Sequence, residues 1–400
     1  MSVFRHVLER QVRPTVRHTL YHDTTRRNEH RASPHRSRSL SLARQVRLQA
    51  GVAEITCGGN VVFCRLEDGV CLAMHGTARV ELNTSRGECV RSIYFNHTNE
   101  SIILMSTWDK DCLPDLHCRS VPLRYVLRRK PVSGTTLFDG ESVNWPGFVE
   151  FDEDNRKILT ASVPAMTYKL WDLKTYELLY SIGNCDLIQE IKTSPGILLV
   201  RWKINTPSSL TLSVLAIDTG HVVLDINLPI SRQRLDFVEL FDDVLFFKQE
   251  RHPLVITNVR TGYSHHVPAT RHIPAPNFVF LAERKVVLVI GCSGLVRVFT
   301  FAGALLSTFT QRTTPSVLYE SHAHVSGATE LIVSCSRPTA TAPSRVCVRD
   351  LLHGVVLAES PPLAGTSDAT LSFAFDRTSG DVYSGDAGGL LRVWSCWQST

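Results

Sequence analysis

The sequence predicts an all-β protein made of repeated four-stranded antiparallel sheets, preceded by a basic arm. Of its 400 residues, 43% are hydrophobic and 20% are charged, a composition typical of a chain that folds around a core. Beyond Leu48, apolar runs of strand length alternate with polar turns, and the pattern recurs roughly every 44 residues, as in repeated sheet units. No run approaches the ~20 apolar residues of a membrane-spanning helix, so we expect no membrane association.

Residues 1–47 form the basic arm. They contain eleven arginines and only three acidic residues, Glu9, Asp23 and Glu29, which gives a net charge of +8. The other 353 residues carry 32 basic and 35 acidic side chains. Because the arm has few apolar residues after the first dozen, burial cannot offset the entropy lost on ordering it. We therefore predict that residues 1–47 are largely disordered and that residues 48–400 form the folded domain.

The arm has three alternative functions. Five of its arginines could contact a nuclear import receptor or nucleic-acid phosphates: Arg26, Arg27, Arg31, Arg36 and Arg38. An N-terminus rich in Arg and Ser and poor in acidic residues is also typical of an organelle transit peptide. A solvated tail without a partner is the third alternative. Phosphorylation of Ser33, Ser39 or Ser41 would cancel much of the local positive charge.

Each repeat has the same order of strands. An apolar strand ends in a polar turn, a second strand rich in Leu, Val and Ser follows, a third ends in Asp, Arg or Gly, and a short fourth strand completes the unit. The clearest copy covers residues 146–182. The last copy, residues 371–395, stops after its third strand, so we expect an N-terminal strand to complete it.

The repeats favour seven sheets. Seven units run from Val90 to Ser395, and residues 52–83 then either supply the closing strand with extra strands or form an eighth unit. Each sheet has two apolar faces and must therefore stack on its neighbours. Closing the stack into a ring would remove exposed strand edges.

Short motifs recur where the third strands end, and the last repeat has a longer one. They are Leu170-Trp171-Asp172, Val348-Arg349-Asp350, Ala216 to Gly220, and Phe375-Asp376 with Ser384-Gly385-Asp386 and Leu391 to Trp394. These motifs resemble those of the WD40-repeat β-propeller family over most of residues 85–396. The resemblance implies a closed propeller, with seven blades favoured over eight. The segments Trp145 to Asp152 and Gln189 to Gly196 are also similar to uncharacterised WD40-like proteins of plants and algae.

Signatures of catalysis and metal binding are absent from the sequence. It contains no Walker loop, GxGxxG, HExxH or nucleophile elbow. Cys112, His117 and Cys118 cluster in an insertion but lack the two ligand pairs of a structural zinc site. The eleven cysteines are scattered without a CxxC pair, which is typical of reduced thiols inside a cell. We expect no catalytic residues, no metal, no cofactor and no small-molecule substrate.

Two segments could bind a partner. Trp171-Asp172-Leu173-Lys174 resembles the box with which some WD40 proteins dock onto the adaptor of cullin-4 ubiquitin ligases, which implies docking contacts from Trp171, Asp172 and Lys174. The insertion at residues 110–130 is rich in basic side chains. Arg119, Arg124, Arg128, Arg129 and Lys130 could form a basic rim for an acidic peptide or RNA, or they could belong to a solvated loop and strand.

These features favour a non-catalytic scaffold whose rim and central opening bind other proteins. The alternatives are a substrate receptor of a cullin-4-type ubiquitin ligase and an RNA- or chromatin-associated factor that uses the arm to bind nucleic acid. Because the N-terminus has no apolar segment typical of a signal peptide, we expect a location in the nucleus or cytoplasm, with organelle import through the arm as the alternative.

Overall fold

In a computed structural model, the chain folds into antiparallel β-sheets, with one short α-helix among the described residues. The described residues are 38–108, 116–129, 133–139, 141, 143, 147–162, 165–183, 187–203, 208–231, 233–282, 284–291, 295–310, 323–326, 331–335, 345–350, 352–362, 370–376 and 379–395. They belong to two compact units, a central unit (Pro146–Pro315) and a flanking unit (Met1–Trp145 with Ser316–Thr400). Within these described ranges, no helix is long and apolar enough to cross a membrane.

The described part of the central unit contains four sheets, and the four strands of each sheet pair antiparallel in chain order. The first contains β11 (Phe148–Asp152), β12 (Lys157–Ser162), β13 (Thr167–Asp172) and β14 (Leu178–Ile182). The second contains β15 (Ile188–Ser194), β16 (Ile197–Trp202), β17 (Ser209–Ala216) and β18 (Val222–Pro229). The third contains β19 (Leu235–Phe241), β20 (Val244–Gln249), β21 (Leu254–Asn258) and β22 (Ser264–Val267). Two 3-10 turns (Pro268–Thr270 and Ala275–Asn277) precede the fourth, which contains β23 (Phe278–Leu281), β24 (Val286–Ile290), β25 (Leu295–Thr300) and β26 (Leu305–Thr310).

The core of the central unit lies between successive sheets. Leu170 of the first sheet packs with Leu198 and Leu215 of the second, and Leu212 of the second sheet packs with Leu245 of the third. The third and fourth sheets meet through a cluster rich in phenylalanine. Since both faces of each inner sheet are covered, its middle strands carry consecutive buried apolar residues, as β16 does at Leu198, Leu199 and Val200.

The described part of the flanking unit also contains four sheets. The first contains β3 (Val52–Gly58), β4 (Val61–Leu66), β5 (Cys71–His75) and β6 (Ala78–Glu81). The second contains β7 (Glu88–Asn96), β8 (Ser101–Trp108), β9 (His117–Pro122) and β10 (Thr135–Leu137), with helix α1 (Leu123–Leu127) between β9 and β10. The third contains β27 (Ala323–Ser326), β28 (Leu331–Cys335), β29 (Val346–Asp350), β30 (Val356–Glu359) and the added strand β1 (Arg38–Ser39). The fourth contains β31 (Thr370–Phe375), β32 (Val382–Asp386), β33 (Leu390–Ser395) and β2 (Ser41–Arg47).

The N-terminal segment joins two sheets of the flanking unit. β2 pairs antiparallel with β33 as the fourth strand of that sheet, and β1 pairs in parallel with the outer edge of β30. Leu40, between them, is fully buried beside Val348 and Trp394. The predicted arm, residues 1–47, therefore ends earlier than expected, because Leu40 and Val46, which lie between its last arginines, are buried. Residues 1–37 lie outside the described ranges.

The described residues form eight sheets, one more than the seven predicted. Residues 52–81, for which the sequence left two possibilities, form a complete sheet of their own. Tight turns make this repeat short. Gly59 and Asn60 join β3 to β4 with left-handed backbone (φ 56° and 61°), and a Cβ on Gly59 would collide with the Leu123 side chain. All eight are β-propeller-like repeats of four strands, and β1 adds a fifth strand to one of them.

Candidate interaction surface

The same turn joins the third strand to the fourth in four of the described sheets. The first residue of the turn donates its N–H to the carbonyl five residues later, and its carbonyl accepts the N–H of the residue four positions later. These turns begin at Asp172, Ala216, Asn258 and Asp350. This fifth residue has left-handed backbone and is glycine in three of the turns and Tyr176 in the other. The turns place the start of every such fourth strand in the same position on its sheet.

The Trp-Asp box at residues 171–174 belongs to one of these turns. The Trp171 indole Nε1 donates to Thr160 Oγ1 at 2.9 Å. Asp172 Oδ1 accepts the backbone N–H groups of Lys174 and Thr175, each at 2.8 Å. Burial alone would raise the pKa of the Asp172 carboxyl, but these hydrogen bonds hold that pKa below its usual range. Trp171 thus connects β13 to β12, and Asp172 stabilises the turn. The Lys174 side chain is exposed, and adaptor docking stays a prediction.

The predicted basic rim is smaller than the sequence indicated. Arg119 does not belong to it, because this residue lies buried in β9 and pairs with Glu88, with 3.0 Å between Nη2 and Oε1. Its Nη2 also donates to the Leu82 carbonyl at 2.6 Å. Arg124, Arg128 and Arg129 are exposed on and after α1, and Lys130 lies outside the described residues. Arg119 was misassigned because its buried partner is 31 residues away in the chain.

The other predicted positions divide between the strands and the undescribed arm. Ser39 is exposed on β1, and Arg38 pairs with Ala358 in the strand register. The Ser41 hydroxyl donates to the Ser395 carbonyl at 3.3 Å, so phosphorylation of Ser41 would disturb the β2–β33 pair. The remaining positions lie outside the described ranges: Arg26, Arg27, Arg31, Arg36 and Ser33.

Exposed apolar side chains recur at the starts of the fourth strands of the central unit, and we refer to them as the outer-strand surface. Its members are Leu178, Leu179, Val222, Val223, Leu224, Tyr263, Leu305 and Leu306. The largest exposed run is on β18, where Val222 is 59% and Val223 is 66% exposed. Each of these strands pairs on one edge only within the described part of its sheet. Repeated apolar exposure on strand edges is typical of a binding surface, and sequence analysis missed it because these residues read as ordinary strand positions.

A charged cluster connects the first strands of three central sheets. Lys192 of β15 donates from Nζ to Glu239 Oε1 of β19 at 2.7 Å, and its Nζ is 3.2 Å from Glu190 Oε1. On the other side, the Thr193 hydroxyl donates to Glu150 of β11 at 3.3 Å. Burial, followed by the nearby charge of Asp152, raises the pKa of the Glu150 carboxyl to about 7.

Metal binding finds no support in the described part of the chain. There, no group of three or more His, Cys, Asp or Glu side chains is placed to hold a metal ion. Of the predicted cluster, Cys118 is buried in β9 and His117 packs edge-on against Trp108, with ring centres 4.8 Å apart. Cys112 lies outside the described residues.

Comparison with known proteins identifies a family and a shared fold. A family model described as a domain of unknown function (DUF7899) matches residues 10–360. No curated protein matches the sequence. The crystal structure of the computationally designed Ika8 protein is similar with a TM-score of 0.52 and 16% sequence identity, over 90% of this chain and 100% of that one. BamB from Moraxella catarrhalis gives a TM-score of 0.46 and 13% identity, over 90% of this chain and 98% of that one. The likeness to Ika8 concerns the fold alone.

Proposed function

The chain belongs to the DUF7899 family, and for this member we propose a non-catalytic scaffold function in which other proteins bind the outer strands. The observation that carries the proposal is the outer-strand surface, where apolar side chains are exposed at the starts of the fourth strands in the first, second and fourth central sheets and, as Tyr263, just before the fourth strand of the third sheet. Removing such side chains from water on binding would contribute about 25 cal/mol per Å² of apolar area. Repeated turns fix the strands beforehand, so little ordering entropy would be lost on binding.

We further propose that the repeated sheets form a WD40-like β-propeller of eight blades. The pairing of β2 with β33 supports closure, because the last sheet then combines strands from both ends of the folded chain. The rim and central opening predicted from the sequence as binding surfaces depend on this closure. The outer-strand surface does not depend on it.

Affinity purification followed by quantitative mass spectrometry tests the scaffold proposal. The baits are the full chain, a triple variant Leu179→Lys, Val223→Lys and Leu306→Lys, and a control variant Leu127→Lys on α1, where the side chain is also exposed. We expect a set of proteins that the full chain and the control retain and the triple variant loses. Thermal unfolding should be the same for all three baits.

Two outcomes would contradict the proposal. The first is that no protein is enriched by the full chain over the tag alone. The second is that the triple variant retains every enriched protein while its melting temperature is unchanged, in which case binding occurs but not on the outer strands.

A further inference from the structure

One outer strand of the flanking unit already binds an additional strand. β1 pairs in parallel with β30, with Arg38 opposite Ala358 and Ser39 opposite Glu359. The chain then turns inward, the Leu40 N–H donates to the Glu359 carbonyl at 2.9 Å, and the Leu40 side chain is fully buried. The β30 edge therefore binds an extended segment through main-chain hydrogen bonds and one apolar anchor.

The geometry of the β30 edge recurs in the central unit. In four of the described sheets, a β-bulge in the third strand sets where the fourth strand begins. The bulges lie at Leu170/Trp171, Val214/Leu215, Val298/Phe299 and Val348/Arg349. The pairs that follow each bulge make Leu178, Val222, Leu305 and Val356 equivalent to one another. A bulge increases local twist, so equal bulges orient the outer edges alike.

β18 is the strand most similar to β30. From the turn glycine, residues 354–359 read Gly-Val-Val-Leu-Ala-Glu and residues 220–225 read Gly-His-Val-Val-Leu-Asp. The last four positions of both segments are three apolar residues followed by an acidic one. The two strands differ in exposure. Ala358, which lies opposite β1, is buried, whereas its equivalent on β18, Leu224, is exposed together with Val222 and Val223. Within the described residues, no strand pairs with the outer edge of β18.

We propose that the outer edge of β18 binds an extended peptide as a parallel fifth strand, in the manner in which β30 binds β1. The inference rests on the proposed scaffold function and specifies its mode of recognition. The partner segment would have the pattern of Arg38-Ser39-Leu40, a basic residue, a small polar residue and an apolar anchor. The main-chain N–H of the partner's apolar residue would donate to the Asp225 carbonyl. This carbonyl is equivalent to the Glu359 carbonyl, which accepts the Leu40 N–H.

Charge and size favour such a peptide over a second copy of the chain. Asp225 is exposed and acidic, so it would attract the basic residue of the segment. The equivalent contact on β30 involves two paired residues and one anchor. A contact of so few residues buries far less than the about 800 Å² per partner of a stable protein–protein interface, so it suits a short peptide.

Fluorescence anisotropy with a labelled peptide of residues 35–42 and the full chain tests the proposal. The chain's own β1 already occupies β30, so the added peptide should bind saturably at one site on β18. N-methylation of the leucine that corresponds to Leu40 removes the proposed hydrogen-bond donor and should weaken binding at least tenfold. Val223→Lys should have an effect of the same size. The control Tyr263→Lys, at an exposed position in the turn before β22, should change the affinity less than twofold.

Three results would overturn the proposal. The first is no binding at millimolar peptide, and the second is equal binding of the N-methylated peptide. The third is full binding to the Val223→Lys variant, which would show that the peptide binds at another site, for example on β30 in place of β1. If any of these occurs while the full chain still captures proteins through its outer strands, strand addition fails and the scaffold function stands. If protein capture also fails, the scaffold function falls with it.

Discussion

Replacing Glu150 by Gln should stabilise the protein in alkaline solution and have little effect in acid. The Glu150 carboxyl is half-buried on β11, where it accepts one hydrogen bond, from Thr193. The carboxylates of Asp152 and Glu239 disfavour its ionisation, while Lys192, which favours it, is already paired with Glu239 and Glu190. Burial is the largest cause of the raised pKa, about 7 in the folded protein. A neutral amide of the same shape avoids the cost of ionisation.

The sign and size of the effect follow from linkage between proton binding and folding. Between pH 4.5, the usual value for this carboxyl, and pH 7, the folded chain keeps a proton that the unfolded chain has released. The stability from Glu150 is therefore fully present below about pH 4.5 and is lost as the pH rises through 7. At 1.36 kcal/mol for each pH unit between the two pKa values, the loss is about 3 kcal/mol. Glu150→Gln should thus be more stable than wild type by up to about 3 kcal/mol at pH 8.5.

Urea unfolding at pH 5, 7 and 8.5, followed by tryptophan fluorescence, measures this difference. The matched control is Glu177→Gln, an exposed glutamate in the same sheet, and its midpoint should differ from wild type by a constant amount across the three pH values. A Glu150→Gln midpoint that follows wild type at every pH, or that falls below wild type at pH 8.5, would refute the reasoning. Similar slopes of the unfolding free energy against urea concentration would show that unfolding exposes the same amount of surface in each variant.

Three further predictions test individual parts of the molecule. Arg119→Ala should destabilise the protein by about 3–5 kcal/mol because it leaves the buried Glu88 carboxylate without its cation, and adding Glu88→Gln should restore part of that loss in a thermal melt. Leu40→Ala should cost about 2–5 kcal/mol in urea unfolding and expose the amides of β1 and β2 to hydrogen exchange, whereas Leu42→Ala, at an exposed position, should do neither. Deleting residues 1–37 should abolish any nucleic-acid binding seen at low salt, and binding that survives the deletion would exclude the arm as its cause.

The sequence alone determined the order of strands and the local turns. Strand-length apolar runs at a regular period indicate repeated sheets. A strand in a sheet covered on both faces is apolar throughout, whereas a strand in a sheet covered on one face alternates apolar and polar residues. The segment Asp172 to Tyr176 indicates a tight turn, because an Asp side chain accepts the amides two and three residues ahead. These features depend on residues close together in the chain, and spacing alone is sufficient to recognise them.

The tertiary structure decided the burial, charge state and pairing of residues far apart in the chain. Arg119 reads as a surface arginine until Glu88 is beside it, and Glu150 reads as an ordinary glutamate until burial and two other strands surround it. For residues 52–83 the sequence left open a closing strand with extra strands or an eighth unit, and the pairing of four short strands within residues 52–81 decides for a separate sheet. The reason is physical: spacing along the chain fixes local backbone geometry, whereas desolvation, ion pairing and edge exposure depend on which distant strands become neighbours.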